Sequence, residues 1–338
     1  MYRLTHKPLA TALALVVAVS APATLTGCAD RPANSVVSSR EALGTVVSVT
    51  AYGSETDPEG AVTRAIDNAF AAMSAAEAEL DAHDPESAIA RINASPQPQT
   101  EPLPARAQRI LDAICALEMR EWFSPQLWAA TQLWRFEDGG HVPHEAQLAA
   151  ALADARYDFG GAAKGVALDE AAGALRDSGG VSAALIASGS TTLAIGSKPD
   201  GEPWRIGIED PREPEKFIAT VEATGDITVS TSGDYQRFFE RSGVRYHHIL
   251  DPATGKPTFG FRSLTVVGDI DGLDSDILST ALFVAGPAFA LRYAEEHGLG
   301  LVVVDAGGRT HIVPGPDDRT YQIVPVAQDA GNTLPPPP

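Results

Sequence analysis

Four aspartates and a threonine late in the chain could hold a cation. Asp269, Asp271, Asp274 and Asp276 fall within eight residues, and Thr280 follows them. Carboxylates this close repel one another unless they are solvated or neutralised by a cation. On a helix, Asp276 and Thr280 would share one face near the positively polarised N-terminal end, and such oxygen ligands suit Mg²⁺. For Asp274 we expect an N-cap role, and for Asp269 and Asp271 a solvated loop.

A glycine-rich segment could bind a phosphate. Residues 158–165 read DFGGAAKG. Small residues let a ligand approach the backbone, and a helix start offers unpaired N–H groups. Lys164 adds a point charge suited to a phosphate oxygen. The segment matches neither GxGxxG nor GxxxxGK[ST], so a strand-to-helix turn that needs glycine is the alternative, and these residues alone favour it.

A pair of histidines could supply a base. Residues 246–255 read YHHILDPATG. Successive side chains on a strand point to opposite faces, so His247 and His248 cannot both face one site. A histidine that faces a cleft can act as a base near neutral pH. The alternative is a half-buried, hydrogen-bonded strand residue.

Composition excludes several classes of protein. The chain has 338 residues, with 25 Lys and Arg against 44 Asp and Glu, and a net charge of −19. This acidity excludes a nucleic-acid partner, and 44% hydrophobic residues exclude a disordered chain. Two cysteines, Cys28 and Cys115, exclude a disulfide framework and a cysteine-rich zinc site. Cys115 has apolar neighbours at helical spacing, which predicts a buried, inert thiol.

Residues 1–27 are predicted to be a signal peptide. Arg3 and Lys7 precede an apolar run from Leu9 to Val19. That run is too short for a membrane span, which needs about 20 residues. The letters LTGC end the segment at Cys28 and resemble a bacterial lipoprotein signal, in which the cysteine becomes the lipidated first residue. The alternative is a generic signal with a chance cysteine.

Hydrophobic periodicity predicts an α+β fold. Strands and helices intermix without strict alternation, so we predict mixed, largely antiparallel sheets with flanking helices, in two intimate lobes that share one core. A tether is predicted at 28–39, a single functional domain at 40–325 and a disordered proline-rich tail at 326–338. Helices are predicted at 60–81, 106–121, 145–154 and 164–177 and near Asp274 and Pro287, and strands at 44–52, 183–187, 204–208, 217–222, 244–250, 262–267 and 300–304.

Seven segments, in order, resemble the ApbE family of FAD:protein FMN transferases. They are REALGT at 40–45, SAIARIN at 87–93, DFGGAAKG at 158–165, WRIGIEDP at 204–211, STSGDY at 230–235, HILDPATG at 248–255 and DSDILST at 274–280. The resemblance covers most of residues 40–305. No single segment is decisive, but seven in the right order are a strong signal.

The resemblance implies an activity and a site. The enzyme would cleave FAD with Mg²⁺, attach FMN by a phosphoester to a threonine of a partner protein bearing a Ser/Asp-Gly-x-Thr motif, and release AMP. Mg²⁺ would be held by the backbone oxygen of Gly161 and the side chains of Asp276 and Thr280, and His248 would be the base. The residues implied to contact FAD are Leu43, His83, Trp122, Phe123, Ser124, Asp158, Lys164 and Ile249. The resemblance also implies a lipid-anchored protein on the periplasmic side of a bacterial membrane, inner or outer.

The sequence departs from the family pattern near the implied FAD contacts. Leu43 stands where methionine is usual, and His83 where an aromatic residue is expected. FSPQ at 123–126 replaces an FDPT-like stretch, SGST at 188–191 replaces a GGD-like loop, and a hairpin's worth of residues is missing before Asp158. These departures keep open the alternative of an FAD-binding lipoprotein without transfer. A second alternative is an FAD pyrophosphatase, in which water attacks and FMN and AMP are released.

The residues from Ser188 to Thr192 read SGSTT and resemble the acceptor motif of this family's substrates. Self-modification at Thr191 is therefore a further hypothesis. The favoured interpretation is a structural loop after the strand at 183–187, because a loop beside a buried strand is usually structural.

Overall fold

The computed structural model describes residues 35–53, 59–95, 102–315 and 320–326. The predicted signal peptide, Cys28 and the tail from residue 327 lie outside these ranges. Within them, no helix has the length and apolarity needed to cross a bilayer.

The helices are α1 (Glu59–Leu80), α2 (Ala88–Ala94), α3 (Ala105–Ala116), α4 (Trp128–Trp134), α5 (Glu145–Ala153), α6 (Ala163–Asp177), α7 (Gly272–Ala285) and α8 (Pro287–His297). The strands are β1 (Ser35–Ala42), β2 (Thr45–Gly53), β3 (Val181–Ser188), β4 (Thr191–Ile195), β5 (Trp204–Asp210), β6 (Glu213–Ala223), β7 (Ile227–Gly233), β8 (Phe238–Arg241), β9 (Val244–His247), β10 (Phe261–Gly268), β11 (Gly300–Asp305), β12 (Thr310–Val313) and β13 (Tyr321–Pro325).

An eight-stranded sheet organises the fold, with the strand order β1-β2-β3-β4-β7-β10-β11-β12. Its neighbouring strands all pair antiparallel within the described residues. A three-stranded sheet, β13-β6-β5, and the hairpin β8-β9 are also antiparallel. The prediction of an α+β fold with largely antiparallel sheets and flanking helices is therefore confirmed.

Helices cover one face of the large sheet and the three-stranded sheet covers the other. Along β11, Leu301 and Val303 pack with the helical layer, while Val302 and Val304 pack with β5, β6 and β13. This alternation follows from the two-residue period of a strand. The sheet thus divides the buried apolar residues into clusters on its two faces, and the two lobes with one shared core stay a prediction.

Several predicted boundaries are wrong, each for a local reason. The predicted tether is wrong over residues 35–39, which pair with β2 as part of β1. The helix predicted at 106–121 ends at Ala116, and Glu118 adopts a left-handed φ of 60°. Cys115, at the edge of the buried face of α3, is half-buried and its Sγ accepts a hydrogen bond from Arg120.

Two further boundaries bear on the candidate site. The strand predicted at 244–250 ends at His247, because the Ile249 N–H donates to the His247 ring at 3.3 Å instead of to a neighbouring strand. Helix α7 begins at Gly272, so Asp274 lies in its first turn and is not the N-cap.

Candidate functional site

The N-terminal ends of α6 and α7 are joined by two reciprocal hydrogen-bond sets, which we name the helix clasp. Asp276, from α7, accepts the N–H of Gly165 at 3.0 Å. Asp169, from α6, accepts the N–H groups of Gly272 at 2.6 Å and Leu273 at 3.1 Å. The first N–H groups of a helix have no partner within it, and carboxylates are favoured there by the helix dipole. Each helix therefore caps the other.

Two glycines let the helices approach closely enough for the clasp to form. A Cβ on Gly165 would overlap the carbonyl group of Gly272 and lie 2.7 Å from the Cα of Leu273. A Cβ on Gly272 would lie 2.9 Å from the carbonyl oxygen of Gly165 and 2.8 Å from Asp169 Oδ1. Both positions are thus restricted to glycine by the backbone of the opposite helix.

Gly165→Ala is expected to lower the free energy of unfolding by about 1–3 kcal/mol, because a methyl group forced against backbone cannot be relieved by a rotamer change. Gly173→Ala is the matched control on the same helix, since a Cβ there meets no described atom within 4 Å. That variant should be more stable than the wild type by about 0.5–1 kcal/mol, from helix propensity. Urea denaturation measures both, and equal stability of the two variants would contradict the close contact.

Asp276 is the carboxylate at the centre of the site, and it is only 4% exposed. Besides the Gly165 N–H on Oδ2, its Oδ1 accepts hydrogen bonds from Thr191 at 3.0 Å and from Ser230 at 3.2 Å. The hydroxyl network continues from Ser230 to Ser279 and Ser232, and Ser232 lies 3.0 Å from the Thr280 hydroxyl. A belt of hydroxyls from β4, β7 and α7 thus surrounds the carboxylate.

The donor chemistry of this site fits Mg²⁺. Within the described residues, Asp276 forms no ion pair with Lys, Arg or His, although a buried carboxylate is costly without a compensating charge. The described residues also contain no group of three or more His, Cys, Asp or Glu side chains arranged for a metal. One carboxylate with neutral oxygens such as Thr280 and the Gly161 backbone is a donor set for a hard cation that keeps several of its waters.

The glycine-rich segment is fixed beside the clasp by the segment that precedes α4. The Asp158 N–H donates to the Pro125 carbonyl at 2.6 Å, and the Asp158 carboxylate accepts the Gly160 N–H at 2.9 Å. A Cβ on Gly161 would lie 3.2 Å from the ring of Phe123, which is buried. These contacts bring together three predicted site residues: Phe123, Asp158 and Gly161. Lys164 follows Gly161 in the same segment.

Leu43 lies at the same end of the sheet as Asp276. Leu43 and Gly44 form the two-residue turn between β1 and β2, with positive φ at both positions, as a type I′ turn requires. A Cβ on Gly189, in the turn between β3 and β4, would lie 3.3 Å from Thr45 Oγ1, so the two turns are neighbours. Thr191, which follows the second turn, bonds to Asp276.

Four other residues are predicted to contact FAD: His83, Trp122, Ser124 and Ile249. His83 is exposed and meets Trp128 edge-on at 4.7 Å, and Trp122 is half-buried against Phe289. Ser124 accepts the Gln126 N–H, and Ile249 is buried in the helical cluster. Their roles toward FAD stay predictions, as do those of Gly161, Asp276, Thr280 and His248.

The two adjacent histidines have different surroundings. His247 is buried; its Nε2 lies 2.6 Å from the Thr258 carbonyl and its Nδ1 accepts the Ile249 N–H. Both ring nitrogens are thus used, which agrees with a structural role. Nδ1 of His248 is buried without a hydrogen bond of normal geometry among the described residues. Burial lowers the pKa of His248 well below its usual range, and the charges of Arg237, His247 and Lys164 lower it further, so the imidazole is neutral at neutral pH.

Sequence reasoning missed the residues that hold the site together. Asp169 is one, and burial raises its pKa to about 6 although the Gly272 and Leu273 N–H groups and the Arg109 guanidinium oppose the rise. Ser230 and Ser232 are two others. Their signal in the sequence is the alternation of hydroxyls at 228, 230 and 232 along a strand, which places a polar row on one face.

Thr191 is not placed as an acceptor of FMN. It opens β4, is fully buried, and donates its hydroxyl to Asp276. The favoured interpretation, a structural role for this segment, agrees with this placement, although Thr191 belongs to a strand and not to a loop. The self-modification hypothesis is unsupported, because a buried hydroxyl cannot reach a second substrate.

The protein is therefore an α+β protein with one buried carboxylate, Asp276, surrounded by hydroxyls. This site lies at the N-terminal ends of α6 and α7, beside the glycine-rich segment. The model of the ApbE family matches residues 43–303. The chain belongs to the ApbE family.

Three comparisons illustrate the relationship. The FAD:protein FMN transferase of Treponema pallidum is 31% identical over 285 residues, covering 72% of this chain and 77% of that protein. The FAD:protein FMN transferase of Vibrio cholerae is 34% identical over 147 residues, 44% of each chain, so the match spans less than half of that relative. The crystal structure of the ApbE protein of Thermotoga maritima is similar with a TM-score of 0.72 at 29% identity, covering 82% of this chain and 96% of that one.

Proposed function

We propose that this protein is an FAD:protein FMN transferase, which moves FMN from FAD to a threonine of a partner protein. The observation that carries the proposal is the buried Asp276 carboxylate, held by neutral donors against the glycine-rich start of α6. A cation there would lie beside backbone N–H groups and Lys164, which suit a pyrophosphate. Membership of the ApbE family and the names of its relatives support the same reaction.

The transfer needs one bond made and one broken. The threonine hydroxyl oxygen of the acceptor attacks the phosphorus of the FMN half. The bond from that phosphorus to the bridging oxygen breaks, and AMP leaves with that oxygen. His248 is the proposed acceptor of the hydroxyl proton; since its Nδ1 is buried, Nε2 is the nitrogen assigned to this step.

Asp276, Thr280 and the Gly161 backbone oxygen are the proposed ligands of Mg²⁺. When bound, Mg²⁺ would neutralise charge on the pyrophosphate and stabilise the leaving group. Lys164 and Asp158 would orient FAD from the glycine-rich segment. The proposed acceptor carries a Ser/Asp-Gly-x-Thr motif.

We also propose a lipid anchor at Cys28 and a location on the periplasmic side of a bacterial membrane. The support comes from the sequence alone: a short apolar run after Arg3 and Lys7, ending in LTGC. Recovery of the protein in the aqueous phase of a detergent partition would contradict this placement.

The activity is tested by incubating the full chain with FAD, Mg²⁺ and a synthetic peptide bearing the acceptor motif. Mass spectrometry should show one FMN on the peptide threonine and an equal amount of AMP, with neither product in EDTA. A peptide with valine in place of the threonine is the matched control and should stay unmodified. AMP with free FMN would identify a pyrophosphatase, and bound FAD without AMP would identify a binding protein; both outcomes contradict transfer.

A further inference from the structure

Thr191 contacts Asp276, a proposed ligand of Mg²⁺, from strand β4. The family resemblance assigns no metal ligand to this strand. It is fully buried on β4, and its Oγ1 lies 3.0 Å from Asp276 Oδ1 and 3.1 Å from Ser230 Oγ. Ser230 Oγ in turn lies 3.2 Å from the same carboxylate oxygen. Two hydroxyls on neighbouring strands therefore converge on Oδ1.

The two hydroxyls leave one hydrogen-bond acceptor position of the Asp276 carboxylate unoccupied. Each carboxylate oxygen has two lone-pair positions. A hydroxyl proton gives its strongest hydrogen bond to a charged acceptor, so both hydroxyls are best used on Oδ1, which is then filled. Among the residues that the structure describes, Oδ2 accepts only the Gly165 N–H, at 3.0 Å, and keeps one position open.

Of the proposed ligands, Gly161 lies on the side of the open position, whereas the Thr280 hydroxyl contacts Ser232 of β7. Gly165 belongs to the first turn of α6, directly after the segment that contains Gly161 and Lys164. Oδ2 therefore faces the glycine-rich segment, while Oδ1 faces the strands β4 and β7. Rotation of the carboxylate would break at least one of three hydrogen bonds from three different elements.

We infer that Thr191 is a positioning residue: with Ser230 it occupies Oδ1 of Asp276, so that Oδ2 alone coordinates the cation. This inference rests on the metal site of the proposed function. Thr191 itself does not touch the cation. Residues that orient a metal ligand in this way typically contribute about 10-fold to 100-fold in metal affinity.

The test measures metal binding apart from turnover. The full chain, free of FAD, is titrated with Mn²⁺ and followed by electron paramagnetic resonance, with Mg²⁺ as competitor. Thr191→Val should raise the dissociation constant of both ions by about 10-fold to 100-fold. Thr191→Ser keeps the hydroxyl and should restore the wild-type affinity.

Thr192→Val is the matched control. Thr192 is the next residue on β4 and is also buried, but its side chain points to the other face of the sheet. Its Mn²⁺ affinity should equal that of the wild type. Melting temperatures in EDTA separate the two roles: a merely structural Thr191 would lower the melting temperature of Thr191→Val and leave Mn²⁺ affinity unchanged, which would overturn the inference.

Failure of the proposed function gives a different result. A wild type that binds Mn²⁺ no better than Asp276→Asn would overturn the metal site and this inference with it. Intact metal binding without FMN transfer would overturn the transferase proposal alone. Intact binding that Thr191→Val does not weaken would overturn only the positioning role.

Discussion

Asp276→Asn is expected to reduce FMN transfer by about a thousandfold or more at saturating FAD and Mg²⁺. A metal ligand that stabilises the pyrophosphate contributes several kcal/mol to the barrier, and each 1.36 kcal/mol is about tenfold in rate. Asparagine keeps the shape of the side chain but removes its charge. Its amide oxygen can still accept the Gly165 N–H, but the charge-assisted hydrogen bonds from the Thr191 and Ser230 hydroxyls are lost, so stability should fall by about 1–3 kcal/mol.

The matched control for this variant is Asp274→Asn. Asp274 lies in the first turn of the same helix and is half-buried, but it is not part of the hydroxyl belt. Its transfer rate should stay close to that of the wild type. Rates are measured as AMP release and modified peptide, well below the melting temperature of each variant. Transfer by Asp276→Asn within tenfold of the wild type would sink the metal assignment.

His248→Ala is expected to reduce transfer by about 10²-fold to 10⁴-fold, the usual contribution of a general base. FAD binding should persist, because the backbone of the glycine-rich segment and Lys164 are untouched. Stability should fall as well, because truncating a buried ring leaves a cavity, so rates are compared at a temperature where the variant is folded.

His247→Ala is expected to lose stability more than transfer rate. His247→Ala leaves the Thr258 carbonyl and the Ile249 N–H without their partner, which costs about 1–3 kcal/mol of stability. At a temperature where this variant is folded, its transfer rate should exceed that of His248→Ala by at least an order of magnitude. A larger loss of rate in His247→Ala would reverse the two assignments.

The pH dependence of transfer gives an independent check on His248. A base acts in its neutral form, and burial, with the charges of Arg237, His247 and Lys164, holds the pKa of His248 well below 6.5. The acid limb of kcat/KM reports the free enzyme. The value of kcat/KM should therefore stay constant as the pH falls through 6.5 and should drop only at lower pH. An acid limb centred at or above pH 6.5 would contradict the assignment.

The sequence anticipates the parts of the fold that local periodicity determines. The helix predicted at 164–177 is observed at Ala163–Asp177, because its apolar residues recur on one buried face. Residues 35–39 were predicted wrongly as a tether, since a polar edge strand with alternating exposed residues does not differ in composition from a tether.

The candidate site was predictable only in its chemistry-bearing segments. The structure brings the segments of residues 158–165 and 274–280 together through the Gly165–Asp276 bond, while their roles toward Mg²⁺ and FAD stay predictions. The hydroxyls of Thr191 and Ser230 could not be assigned in advance. A hydroxyl on a strand suits a solvent-exposed face equally well, and its partner lies 85 or 46 residues away along the chain. Such pairings follow from strand order, which periodicity does not specify.

The helix clasp also predicts an order of events during folding. Its three bonds join residues 111, 103 and 104 positions apart, and the chain between them contains the strands β3 to β10. Contacts this distant in sequence form late, because the entropy of closing the loop must first be offset by nearer pairings. We therefore expect the central strands β4, β7 and β10 to pair before α7 reaches α6. We therefore expect a partly folded chain to present Asp276 without its three donors, so that the proposed cation site would be complete only once the sheet has formed.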